Sequence, residues 1–211
     1  MSIVHEGKIL SSQEVASEQF SHSEKLHAFI MDVVLGAKIE MQDLDAIAVS
    51  KGPGSYTGLR IGVSTAKGLC YALDKPLISV PTLKALAMKV KRTTPGLIVP
   101  MLDARRMEVY TATFDQSYQE IENTHALVLE PSSFQSILEV QKVVFLGDGA
   151  EKFKIICDSP NAEFVSEAYP SAIEMAVLSE EKYARGDFED LAYFEPFYLK
   201  DFVAGKPKKL L

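Results

Sequence analysis

Residues 50–62 read SKGPGSYTGLRIG, four glycines and a proline set between the apolar run Asp45-Ala-Ile-Ala-Val49 and a helix-like segment, Thr57 to Leu73. Glycine-rich turns between a strand and a helix commonly cradle a phosphate, because backbone N–H groups and the helix N-terminus together attract an anion. The spacing departs from both familiar forms. A Walker A loop, G-x-x-x-x-G-K-[ST], finds Thr57 as the sixth residue from Gly52 and Leu59 as the sixth from Gly54, so no P-loop lysine is placed. The dinucleotide fingerprint G-x-G-x-x-G fails by one residue, since Ser55, Tyr56 and Thr57 all intervene between Gly54 and Gly58. The alternative is a tight strand-to-helix turn in which Gly54 takes a positive φ and Ser55 or Thr57 caps the helix. Gly52, Gly54, Ser55 and Thr57 form the candidate glycine loop.

Working outward, strands and helices alternate on both sides of this loop. Ser2 to Leu10 predicts a strand bent at Glu6-Gly7, and Ser23 to Gly36 a helix with Leu26, Phe29, Ile30 and Val33 on one stripe and Gly36 as its C-cap. A short buried strand over Asp45 to Ser50 precedes the helix at Thr57. Leu77 to Val80 then reads as a strand and Pro81 to Val90 as a helix with proline in its first turn. Beyond Thr94-Pro95-Gly96, strands are predicted over Leu97 to Leu102, Glu108 to Phe114, His125 to Leu129 and Val143 to Leu146. A helix over Pro131 to Val140 precedes the last of them, and a Gly147-Asp-Gly149 turn with two helical stretches follows. Such alternation builds a parallel or mixed sheet with helices packed on it. The change of character places a domain boundary near Pro95, dividing the chain into halves 1–95 and 96–211.

Composition narrows the function. The 211 residues are 47% hydrophobic, ample for a buried core, and carry a net charge of −7, which argues against a protein that grips nucleic acid unaided. The basic cluster Lys206-Pro-Lys208-Lys209 lies at the very end and reads as a solvated terminus. No apolar stretch approaches the ~20 residues that span a bilayer, and the N-terminus lacks a signal-peptide layout, so a cytoplasmic protein is expected. Cys70 and Cys157 fall in apolar settings outside any C-x-x-C or zinc pattern and read as reduced core thiols.

Catalytic candidates are few. His22 and His27 are five apart and so lie on different faces of a helix, where a metal pair needs three or four. Asp103-Ala-Arg105-Arg106 follows a strand and offers a carboxylate and a guanidinium, with an ion-paired strand end as the plainer reading. Gly147-Asp148-Gly149 reads equally as a phosphate-binding or an ordinary β-to-α turn. The more informative feature is the helix after the glycine loop: Gly58, Gly62, Ala66 and Cys70 recur every four residues, so one face is almost bare and another helix can approach it closely. Leu59, Val63, Leu69 and Leu73 supply a separate apolar flank, which leaves the small face, with Arg60 beside it, for a partner.

Lys51-Gly-Pro-Gly-Ser-Tyr-Thr-Gly-Leu-Arg-Ile-Gly62, with Leu44-Asp-Ala-Ile-Ala-Val49 before it and Lys67-Gly-Leu and Pro81-Thr-Leu-Lys-Ala-Leu86 after it, resembles the TsaB (YeaZ) family of bacterial tRNA threonylcarbamoyladenosine proteins. Asp103-Ala-Arg105 with Glu108-Val-Tyr110, Gly147-Asp-Gly149 and Pro196-Phe-Tyr-Leu-Lys200 extend the resemblance over nearly the whole chain. It implies an α/β, actin-like fold of two related halves and a largely non-catalytic role. In that role a TsaD-like subunit transfers the threonylcarbamoyl group to adenosine 37 of tRNAs reading codons that start with A. A TsaE-like ATPase is associated, and the family member holds the assembly together through its first two helices. The implied interface here is Leu26, Phe29, Ile30, Val33, Gly58, Arg60, Gly62, Ala66 and Cys70. His22 matches a common family histidine and is not a metal ligand. By the same resemblance no metal or catalytic residue is expected, tRNA is met only within the complex, and a homodimer through the same helices and an adenine nucleotide at the partner joint stay open.

The chain departs from the family at its start. Members open with a strand ending in an Asp-Thr or Glu-Thr turn, whereas this chain begins at their second strand, which leads to the expectation that the codons upstream of Met1 encode that strand. The competing reading is a self-sufficient actin-fold ATPase or glycoprotease-like enzyme, which needs a ligand set, a base and an intact first phosphate loop that the sequence does not display.

Overall fold

The computed structural model describes residues 1–15 and 22–200, with side chains from Leu26 in the first helix. The basic cluster Lys206 to Lys209 lies outside the described residues. The chain opens with a hairpin rather than one bent strand: β1 (Ser2–His5) and β2 (Lys8–Ser12) pair antiparallel. The turn between them is made by Glu6 and Gly7, both at positive φ. Helix α1 (His22–Ala37) follows, and its left-handed exit is Lys38 at φ 57°, not the predicted Gly36. Gly36 instead lies within the helix, where a Cβ would come within 2.5 Å of Ser11 Oγ. β3 (Ile47–Gly52), α2 (Tyr56–Leu73), β4 (Leu77–Pro81) and α3 (Thr82–Ala87) complete the first half, with β3 and β4 parallel.

In the second half β5 (Leu97–Asp103), β6 (Glu108–Phe114) and β7 (Glu120–Val128) form an antiparallel meander. β8 (Val143–Leu146) and β9 (Ala162–Val165) extend it in parallel, giving one five-stranded sheet in the order β7-β6-β5-β8-β9. α4 is a single turn, Gln135–Leu138, where the sequence suggested a helix from Pro131 to Val140. Instead the Ser133 hydroxyl accepts from the Glu130 N–H at 2.9 Å in a preceding turn, and Phe134 sits at φ 60°. The two helical stretches expected after Gly149 are α5 (Ala150–Lys154) and α6 (Ala172–Ala184), and the strand β9, which was not expected, lies between them. β9 alternates half-buried and exposed residues, the pattern of an edge strand, and its four residues were too short a signal to separate from the flanking loop.

The core follows the sheet. Leu83, Leu86, Ile98, Leu102, Phe114 and Leu146 fill one side. On the other, Phe145 and Phe153 meet edge to face at 5.0 Å beside Phe134 and Phe164. The tail of the chain then crosses back. α6 packs on all four strands of the first half, and Glu189 pairs with Leu77 through its backbone N–H, 2.9 Å from the Leu77 carbonyl. Leu191 and Phe194 join the cluster of Ala66, Cys70 and Leu77.

Candidate functional site

The glycine loop answers its own question through what lies on it. Gly52, not Gly54, carries the positive φ, at 112°, and a Cβ there would stand 2.7 Å from the carbonyl oxygen of Phe197. The Phe197 N–H donates to the Lys51 carbonyl at 2.7 Å. The next residue, Tyr198, stacks its ring on Tyr56 with centroids 4.7 Å apart. Two further bonds hold this returning segment, from Lys67 Nζ to the carbonyls of Ala192 (3.1 Å) and Phe194 (3.0 Å), and Lys200 pairs with Glu108. The loop's close approach is thus spent on the chain's own backbone, which is what a residue without Cβ permits. Ser55, rather than Thr57, is the N-cap of α2, accepting from the Gly58 N–H at 3.4 Å. Gly52→Ala is expected to destabilise the fold by about 1–3 kcal/mol and to speed tryptic cleavage at Lys200; unchanged cleavage would mean that the loop and the segment above it are not coupled.

The second candidate, at the end of β5, is a braced turn. Asp148 Oδ1 accepts from the Asp103 N–H at 2.9 Å. Asp103 Oδ1 in turn accepts from the Arg105 N–H at 2.5 Å and from Lys152 Nζ at 2.8 Å. The ion pair foreseen for Asp103 is present, with Lys152 as the cation. Gly147 (φ 103°) and Gly149 lie against the backbone of Met101 and Leu102, and the Gly149 N–H donates to the Met101 carbonyl at 3.1 Å. Among the described residues no three His, Cys, Asp or Glu side chains gather as a metal site, and no helix is long and apolar enough to cross a membrane.

The helix faces need correction. Ala66 and Cys70 point inward, 5% and 1% exposed, against Leu77 with Ile47, Val49, Leu191 and Phe194 around them. Ile30 and Val33 are likewise buried within the chain. Of the predicted interface, Leu26, Phe29, Gly58 and Gly62 line a cavity of about 440 Å³ between the two helices and the ends of the hairpin, and Arg60 is exposed. The residues that do face outward are two positions along. On α2 these are Arg60, Ser64, Gly68 and Ala72 at spacing four, with Tyr71 85% exposed beside them. On α1 they are Met31 and Leu35, also four apart. Two residues are about 200° of helix rotation, so α2 carries small residues on opposite faces, one for its own sheet and one outward. Gly68 has nothing within 4 Å of where a Cβ would be. The sequence held this second stripe, but choosing between the two required knowing which one the sheet uses.

Burial pushes the Cys70 thiol up to about 11. An acid held protonated by the fold stabilises it fully below the unfolded value of about 8.5 and loses that contribution as pH rises through the folded one. Iodoacetamide at pH 8 is therefore expected to spare Cys70 until the protein unfolds; rapid native-state labelling of Cys70 would contradict its burial.

A mixed α/β chain in which strands and helices alternate through two successive halves has an actin-like fold. The model for "TsaD: tRNA N6-adenosine threonylcarbamoyltransferase" matches residues 9–208, and the chain belongs to this family, within it to the TsaB (YeaZ) members. It is 28% identical over 193 residues to the tRNA threonylcarbamoyladenosine biosynthesis protein TsaB of Escherichia coli, covering 88% of this chain and 83% of that one. With the Bacillus subtilis protein of the same name the identity is 40% over 111 residues, about half the length of each (50% and 48%). YeaZ from Pseudomonas aeruginosa superposes with a TM-score of 0.75 at 26% identity, over 94% of this chain and 92% of that one. A second P. aeruginosa structure, described as an uncharacterized protein with similarity to peptidase YeaZ, gives 0.78 at 26% identity, over 94% and 93%.

Proposed function

We propose that this chain is an accessory subunit in the formation of threonylcarbamoyladenosine in tRNA, holding a TsaD-like transferase through the outward faces of α1 and α2, with a TsaE-like ATPase joining the same assembly. The curated relatives bear the name of that biosynthesis. The observation that carries the interface is the pairing of exposed apolar side chains, Met31, Leu35 and Tyr71, with the unfilled stripe Ser64, Gly68 and Ala72. Small residues let a second backbone approach, and exposed apolar ones around them supply area to bury. The net charge of −7 favours contact with tRNA through the assembly rather than through this chain alone. In the absence of a partner, the same faces offer a route to a homodimer.

The test is co-purification with the cognate TsaD-like protein. Replacing both Met31 and Leu35 by glutamate is expected to weaken capture at least about tenfold, since burying unpaired charge costs more than 1.4 kcal/mol; undiminished capture would remove α1 from the interface. The enzyme reading makes the opposite forecast: ATP or peptide turnover by the purified chain that disappears in Asp103→Asn or Asp148→Asn. The structural duties of both carboxylates speak for the accessory role.

A further inference from the structure

The turn between β5 and β6, residues 104–107, presents two arginines in succession. Arg105 and Arg106 both stand in the left-handed region, at φ 72° and 49°, which side chains other than Asn, Asp and His seldom adopt. Such strain persists where the surroundings hold it, and here they do. Asp103 Oδ1 accepts from the Arg105 N–H, and Lys152 Nζ, bonded to that same oxygen at 2.8 Å, also donates to the Glu108 carbonyl at 3.3 Å. The Ala104 N–H donates to the same carbonyl at 3.0 Å and closes the turn.

The charges around the turn divide unevenly. Three carboxylates lie there and each is engaged, Asp103 by Lys152, Glu108 by Lys200, and Asp148 by the Asp103 N–H. Arg105 and Arg106 are exposed, and neither side chain has a hydrogen bond or ion pair among the described residues. One other pair of adjacent cations lies among those residues, Lys91-Arg92, and there Arg92 sits over the Tyr118 ring, 5.2 Å from its centroid. Two free guanidinium groups therefore stand side by side at one turn of a chain whose net charge is −7. The Lys200–Glu108 pair also brings the returning segment to this turn, and in the sequence Lys206-Pro-Lys208-Lys209 follows shortly after Lys200.

We propose that Arg105 and Arg106 are this chain's contact with the phosphate backbone of RNA; that the RNA is the tRNA brought to the assembly rests on the accessory role proposed above. A guanidinium presents a planar fork that matches a phosphate with two hydrogen bonds. Contacts of this kind position a nucleic acid without reading its bases. At physiological salt two phosphate contacts give an acidic chain too little to hold RNA unaided, and within an assembly they add to contacts made by other subunits.

The test is binding of a fluorescein-labelled, unmodified tRNA transcript to the purified full chain at low salt, read by anisotropy. Replacing both arginines, Arg105→Gln with Arg106→Gln, is expected to weaken binding at least about tenfold and to make the slope of log K against log salt shallower by about 1.4–1.8, the counterion release of two phosphates. Arg106→Gln alone, whose backbone N–H takes no part in the bracing, should give half of that change in slope. Arg105→Lys with Arg106→Lys keeps the charge and should keep most of the slope, and Lys91→Gln with Arg92→Gln should bind as the unaltered chain does. Four results overturn the proposal: no binding of the transcript at low salt; unchanged binding in the Arg105→Gln, Arg106→Gln chain; an equal loss with Lys91→Gln and Arg92→Gln; or displacement by polyglutamate as effective as by polyuridylate of equal charge, which would assign the turn to an acidic protein segment. Capture of the TsaD-like protein is measured on the same variants. Capture kept while RNA binding is unchanged removes the arginines' role and leaves the accessory role standing, whereas capture absent from the unaltered chain removes that role and leaves the RNA measurement to decide on the arginines.

Discussion

Gly68→Leu is expected to lower capture of the cognate TsaD-like protein ten- to a hundredfold while leaving the chain's own melting temperature unchanged or slightly raised. Gly68 lies in the interior of α2 and a side chain there meets nothing of its own protein within 4 Å. Glycine costs a helix interior about 0.5–1 kcal/mol relative to alanine, so any better helix former should stabilise the isolated chain. Against a partner helix the same leucine overpacks, at about 1–3 kcal/mol, or roughly one to two decades in affinity. Ala66→Leu, two residues earlier, is the internal control. Its side chain enters the cluster of Cys70, Leu77 and Phe194, so the melting temperature should fall by about 2–10 °C for a chain of this length, whatever happens to the partner. If Gly68→Leu also unfolds the protein, or leaves capture unchanged, the outward stripe is not the interface.

Gly147→Ala should be among the most damaging single-methyl changes in the chain. At φ 103° an L side chain is strained, and the added Cβ would lie 2.1 Å from the Met101 carbonyl oxygen and 3.0 Å from Leu86 Cδ2. Backbone cannot yield as a side-chain tip does, so strain and displacement add to about 3 kcal/mol or more. Scanning calorimetry should show a drop of about 6–12 °C. Gly186 provides the comparison: it too has positive φ, 66°, but nothing within 4 Å of a Cβ, so Gly186→Ala should cost only the backbone strain. Equal losses at the two sites would mean that close packing of the β8–α5 turn on β5 is not what Gly147 serves.

Much of the fold was legible because it repeats a strong local signal. The bounds of β6 and β8 agree with their apolar runs, Glu108–Phe114 and Val143–Leu146, and α2 is framed by a serine cap and a long periodic stripe. Elements without such a signal were missed or misjudged. β9 is four residues with half its side chains in solvent, and α4 shrinks to one turn where Phe134 turns left-handed. The candidate site was harder still. That Gly52 rather than Gly54 is the strained residue depends on Phe197, some 145 positions later in the chain (197 − 52), and no local reading of the loop contains it. The same distance effect inverted the small face of α2. Gly58, Gly62, Ala66 and Cys70 made a visible stripe, but its inner end is buried by Leu77, Leu191 and Phe194, and only the tertiary fold shows that the alternate stripe looks outward.

In the proposed accessory role this chain makes a TsaD-like transferase competent without performing the transfer. The direct measurement is threonylcarbamoyladenosine in an unmodified tRNA transcript after incubation with the cognate TsaD-like and TsaE-like proteins, the threonylcarbamoyl donor and ATP, with and without this chain. Modified nucleoside should form only when the chain is present, should fall with Gly68→Leu in proportion to lost capture, and should be unaffected by Asp103→Asn beyond its effect on folding. Equal modification without the chain, or full loss in a folded Asp103→Asn protein that still captures its partner, would contradict the account.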